Sequence, residues 1–292
     1  MEKRKLKLPI GIQTFETIRT EGYNAYARLY NPYSTLTFFK TKKFFNFWME
    51  TGSSKVIADY MKNKKLTVEQ FRNYPVSEDF ARSPGDVDTA TPEGFLYQCG
   101  YLTLRPGKSD GFSLDYPNTE VLNSMSAMLS QNMLREKDED FTCCRSDLLE
   151  ALLSVDYNML VAAFNRLLAS IPYDDFSKAA ERSVYKNRYR YPAREWLYRS
   201  SILAFLRGCG VLVFAEMQTN QGRSDIVAVY CGKTWVIELK VAYAGESPAQ
   251  KAEEALQQII DKNYAAPYPD PICIGLAIDD AVRQITEMKM NE

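Results

Sequence analysis

Residues 222–241 read GRSDIVAVYCGKTWVIELKV. Two runs rich in β-branched and aromatic residues flank a Cys231-Gly232-Lys233 turn, which is the pattern of a β-hairpin. Side chains alternate faces along a strand, so Trp235, Ile237, Leu239 and Val241 share a face that reads as core. Glu238 and Lys240 then stand side by side on the other face. On the preceding strand Asp225 shares a face with Val227 and Val229, and neighbouring strands lie about 4.8 Å apart. Asp225 is therefore expected within metal-bridging reach of Glu238. Two facing carboxylates repel unless something positive lies between them. Mg²⁺ suits that place, because it prefers oxygen ligands and takes one or two carboxylates with water and phosphate. Lys240 would orient or deprotonate a metal-bound water, or stabilise charge on a phosphate oxygen. A second reading stands beside this one: Glu-x-Lys is a short, common string, and an exposed Glu-Lys pair also describes a solvated strand face.

The surroundings extend the pattern. Residues 193–208, AREWLYRSSILAFLRG, read as a helix ending at Gly208 or Gly210. Strands are predicted at 211–217, 224–231 and 234–241. An amphipathic helix follows over about 247–264, with Ser247 as N-cap and Pro248 at its first position. Two more strands follow at 272–278 and 282–290, giving the order α-β-β-β-α-β-β. Upstream, residues 34–74 read as short helices broken at Thr51-Gly52 and near Asn73. Residues 97–116 read as a hairpin made of LYQCGYLTL, the turn PGKSDG and FSLDY. A helix is predicted over 119–135, a charged joint at 136–141, and helical periodicity through Leu148, Leu152, Leu160, Phe164 and Leu168 over 145–171. Helices followed by a hairpin suit a winged-helix-like unit.

Composition bounds the chemistry. The chain has 292 residues, 46% hydrophobic and 25% charged, normal values for a globular protein. The net charge of −1 argues against non-specific polyanion binding but allows a local basic groove. No run of about 18 apolar residues predicts a membrane span, and the basic N-terminal MEKRKLKLPIG lacks the apolar stretch of a signal peptide. The six cysteines form no CxxC pair and read as reduced thiols of a cytoplasmic protein. There is no histidine, which excludes Ser-His and Cys-His nucleophiles, HNH-type nucleases and His-ligated zinc. Acid-base or metal chemistry must use carboxylates, Lys, Tyr or metal-bound water.

Asp225, the gap to Glu238-Leu239-Lys240 and the order of elements together resemble the PD-(D/E)XK nuclease superfamily, whose Asp and (D/E)xK motif lie on adjacent strands of an αβββαβ core. The usual Pro before the Asp is Ser224 here. Members also carry a Gln on the following helix; Gln258 in ALQQI is the natural match and Gln257 the alternative. Glu216 is a candidate accessory carboxylate and Arg223 a candidate phosphate contact. The resemblance implies Mg or Mn as cofactor and a nucleic acid, DNA before RNA, as substrate.

A wider resemblance covers most of the chain. LPIGIQTFETIRTEGY, RLYNPYSTL, FWMETGSS, FLYQCGYLTL, YPNTEVLNSM and LLASIPY look like segments of a bacterial family that joins an AAA-ATPase-like region to a C-terminal PD-(D/E)XK domain. The departure is that Gly22-Tyr23 passes almost directly into NAYARLYNPYS, and no GxxxxGK[ST] string occurs. The expectation is a chain without the ATPase core and without ATP. The fold class expected is α+β or α/β. Residues 1–118 would form a helical, winged-helix-like remnant, 119–189 a helical connector, and 190–292 a restriction-endonuclease-like domain. Lys40, Lys42 and Lys43 interleave with Phe38, Phe39, Phe44 and Phe45, a pattern open to nucleic-acid contact, although such aromatics also read as core. The function implied is metal-dependent phosphodiester hydrolysis. The alternatives are a nuclease fold kept as a binding module for nucleic acid or protein, and a remnant whose N-terminal half self-associates as a homo-oligomer.

Overall fold

The computed structural model describes residues 15–19, 26–30, 32–42, 54–64, 66–77, 80, 91–106, 112–135, 140–171, 193–219 and 222–291. They belong to two compact units, Met1–Met125 and Ser126–Glu292. The break expected at Thr51-Gly52, residues 107–111 of the PGKSDG turn and residues 136–139 of the charged joint lie outside the described residues.

The first unit opens with β1 (Phe15–Arg19) and β2 (Tyr26–Tyr30), an antiparallel pair. Two helices follow, α1 (Pro32–Thr41) and α2 (Ser54–Asn63), and then a single 3-10 turn at Glu69–Phe71. A three-stranded antiparallel sheet places β5 (Phe112–Asp115) between β3 (Tyr74–Val76) and β4 (Thr103–Pro106). Buried Asp115 anchors this sheet. Its carboxylate accepts from Arg72 Nε at 2.9 Å and lies 3.4 Å from Arg105, so a buried charge is paired twice. The hairpin predicted over 97–116 is half right. Its first strand begins only at Thr103, because Pro92–Gln98 form a helix, α3. Thr91 caps α3 by accepting from Gly94 N, and Pro92 occupies the first turn, a helix-start signal that the apolar run LYQCGYLTL outweighed in the sequence.

Helix α4 (Thr119–Arg135) matches its predicted span, and the division between units falls within it. The helical periodicity read over 145–171 belongs to two helices, α5 (Phe141–Ser154) and α6 (Tyr157–Ala169). Val155 takes a left-handed conformation, φ 60°, and ends α5, while the Asp156 carboxylate caps α6 by accepting from Met159 N at 2.9 Å. The hydrophobic period crosses this break, so periodicity alone did not reveal it.

Helix α7 (Ala193–Gly208) leads into a five-stranded mixed sheet: β6 (Leu212–Thr219), β7 (Gly222–Tyr230), β8 (Lys233–Ala242), β9 (Ile272–Asp279) and β10 (Gln284–Met290), in spatial order β10-β9-β8-β7-β6. β8 and β9 are parallel; the other neighbours are antiparallel. The parallel pair is joined by helix α8 (Pro248–Asp261), as a parallel connection requires. α8 is shorter than predicted because Asn263 turns left-handed at φ 50° just past its end. Its cap is Ser247, which accepts from Gln250 N.

Both faces of the sheet are covered. Trp235, Ile237, Leu239 and Val241 join the core formed with Leu148, Phe164, Ile202 and Phe205, while Val236 packs with Leu256, Ile259 and Tyr264 on the α8 side. Strand β8 is therefore buried at consecutive positions, the pattern of a strand covered on two sides. At the far edge, Asn165 ties β10 to α6: its amide donates to Ile285 O at 3.0 Å and accepts from Ile285 N at 2.7 Å, beside a register shift in β10. No described helix is long and apolar enough to cross a membrane.

Candidate active site

Asp225 and Glu238 face each other where β7 and β8 separate. Their ladder runs from Tyr230↔Lys233 to Ile226↔Ile237 and stops there. Beyond that point β7 stays paired to β6 as far as Thr219↔Gly222, and β8 stays paired to β9 as far as Ala242↔Asp279. The sheet therefore forks. Side chains take over from the backbone at the fork. Asp225 N donates to Glu238 Oε2 at 3.1 Å, and Leu239 N donates to Asp225 Oδ2 at 3.0 Å. Each carboxylate satisfies the main-chain donor that the parting strands leave behind.

The solvated-face reading of Glu238 does not hold. Glu238 and Asp225 are each 1% exposed, because α8 covers the face that the sequence left open. Burial first, and then the Asp225 charge, push the Glu238 carboxyl up from 4.5 to about 8. Lys240 Nζ lies 3.8 Å from Glu238 Oε1 and pulls the other way. Gln258 connects the two: its Oε1 accepts from Lys240 Nζ at 2.7 Å, and its Nε2 donates to Glu238 Oε1. Lys and carboxylate thus fix both ends of one amide. Gln257, the alternative on the same helix, is exposed and donates instead to Asp261.

Two groups on α7 complete the surroundings, and sequence reasoning missed both. Arg199 is 2% exposed. Its Nε lies 3.6 Å from Asp225 Oδ1, and its Nη2 donates to the Asp225 carbonyl at 3.3 Å. Glu195, one turn earlier, is pushed up to about 7 by burial and then by Asp225, against Lys240, Arg199 and Lys251. The available signal was the i, i+4 spacing of Glu195 and Arg199 on a helix otherwise rich in apolar residues. Of the accessory candidates, Glu216 and Arg223 have backbones in β6 and β7, with Arg223 opposite Gln218. Their side chains lie outside the described residues. Ser224, in place of the motif's Pro, buries a hydroxyl with no hydrogen-bond partner among the described residues.

Among the described residues no three His, Cys, Asp or Glu side chains form a metal-holding group. The donors at the fork are two buried carboxylates, all oxygen. That set fits a hard divalent cation completed by water or phosphate oxygens, as Mg²⁺ and Mn²⁺ accept.

Residues 193–288 match the family model of the PD-(D/E)XK nuclease superfamily, which begins at α7 and ends within β10. An uncharacterised protein in the vnfD 5' region of Azotobacter chroococcum mcd 1 is 30% identical over 256 residues, covering 85% of this chain and 46% of that protein. The chain thus spans about half the length of that relative. No solved structure matches. The superfamily match supports a metal-dependent nuclease.

Proposed function

We propose that the fork between β7 and β8 is the centre of a metal-dependent nuclease that hydrolyses phosphodiester bonds in DNA. The observation that carries the reading is the pair of buried carboxylates at the point where the ladder stops, with Lys240 held beside them. Asp225 and Glu238 would hold Mg²⁺ or Mn²⁺, which when bound supplies Lewis acidity for water activation and phosphoryl polarisation. Arg199 balances the charge of Asp225. Gln258 fixes the rotamer of Glu238 through one end of its amide and the position of Lys240 through the other. Lys240 brings a positive charge to the fork beside Glu238. It neutralises charge developing on a phosphate oxygen, or orients the attacking water, in a pocket where such interactions are strong. No step uses ATP. Residues 1–118, read as winged-helix-like, and the connector 119–189 would present or position the nucleic acid for a catalytic domain at 190–292 in a cytoplasmic protein.

The test combines Mn²⁺ titration by calorimetry with a gel cleavage assay on DNA, for wild type and an Asp225→Asn, Glu238→Gln variant. Binding and cleavage that both vanish in the variant support the reading. Binding without cleavage turns the fold into a metal-holding binding module. A wild type that binds no Mn²⁺ overturns the metal centre.

A further inference from the structure

Gly275 is the β9 residue directly across from Glu238 in the parallel ladder. It lies under α8. A Cβ placed on Gly275 would stand well inside van der Waals contact of Ala252 O and Leu256 N, and 3.0 Å from Ala255 Cβ. Two of these three neighbours are helix backbone, which no rotamer change can move. Gly275 therefore lets α8 sit on the sheet closer than any side chain would allow. Two residues beyond Leu256, the same helix carries Gln258, whose amide spans Lys240 and Glu238. The close seat of the helix on Gly275 and the contact at the fork thus lie over one strand pair, β8 and β9.

We propose that Gly275 is a positioning residue for the fork: the missing side chain sets the height of α8, and that height determines whether the Gln258 amide reaches both Glu238 and Lys240. The proposal rests on the nuclease reading for its effect on cleavage, but not for its geometry. An alanine at 275 must lift α8 by roughly 1 Å, and a misplacement of that size costs about 100-fold in rate when it moves groups at a reacting centre. Gly275 touches no substrate and acts only through Gln258.

The experiment is a cycle of wild type, Gly275→Ala, Gln258→Ala and the double variant. Each is assayed for kcat and KM on duplex DNA with Mg²⁺, and each is examined free of metal by NMR after ¹⁵N-glutamine labelling. The Gln258 side-chain signal is identified by its loss in Gln258→Ala. The expected result is a fall in kcat of about 100-fold for Gly275→Ala with KM unchanged, and a double variant no slower than Gln258→Ala alone. The Gln258 amide signal should move to the position of a solvated amide in Gly275→Ala. Losses that multiply in the double variant, or an amide signal that does not move, overturn the proposal. If wild type does not cleave, the nuclease reading falls and the amide signal alone decides the role of Gly275. If Gly275→Ala does not fold, Ala255→Ser adds one heavy atom at the same seam. It should displace the amide in the same direction, and an unmoved amide there overturns the proposal equally.

Discussion

Replacing Glu238 with Gln should stabilise the metal-free protein at alkaline pH while removing a ligand of the proposed metal site. The Glu238 carboxyl is raised from 4.5 to about 8, first by burial and then by Asp225. An acid raised in the folded state is still protonated there when the unfolded chain has already ionised. Between the two pKa values the folded state binds more protons, so stability falls as pH rises and levels off above about 8. The full shift corresponds to about 5 kcal/mol. Glutamine avoids that loss but faces two donors, Asp225 N and Gln258 Nε2, with only one oxygen. The mismatch costs about 1–2 kcal/mol. The balance is a gain of roughly 3 kcal/mol at about pH 8.5, which for a unit of this size raises Tm by roughly 6–12 °C. At about pH 4.5 the ionisation term is gone, and Glu238→Gln should melt below wild type by the hydrogen-bond cost alone. The assay is thermal melting in EDTA at both pH values, with Mn²⁺ calorimetry alongside. A variant that melts at or below wild type in alkali, or a gap that does not change with pH, would refute the reasoning.

Three further outcomes follow from the same geometry. Lys240→Ala should lower cleavage by about 10²–10³-fold with Mn²⁺ still bound, since the loss is of an electrostatic stabiliser and not of a ligand; gel assays and calorimetry on one sample separate the two. Asn165→Ala leaves Ile285 N and O without their partner at the edge strand, and should cost about 1–3 kcal/mol in urea unfolding while Mn²⁺ affinity is unchanged. Ser224→Ala deletes a buried hydroxyl that has no partner among the described residues, and should be neutral or stabilising by up to about 1 kcal/mol in the same unfolding measurement.

The sequence determined what depends on local order. Period-two alternation in 222–241, the cap Ser247-Pro248 and the helix 193–208 were legible because strands, caps and helix ends are set by residues adjacent in the chain. The pairing of Asp225 with Glu238 followed from hairpin register for the same reason. Local signals also misled where two of them overlapped, as at Thr91-Pro92 and at Val155. Tertiary structure decided the rest. Whether the Glu238 face meets water or helix depends on where α8 lands after a parallel crossover, and no strand pattern encodes that. The same placement raises the Glu238 pKa, selects Gln258 over Gln257 and makes the absence of a side chain at Gly275 matter. Arg199 and Glu195 lie 26 and 30 positions before Asp225 in the chain and meet it only because α7 packs across the sheet. Burial, and the electrostatics that burial controls, come from contacts between segments distant in sequence, and the chemistry of this fork rests on those contacts.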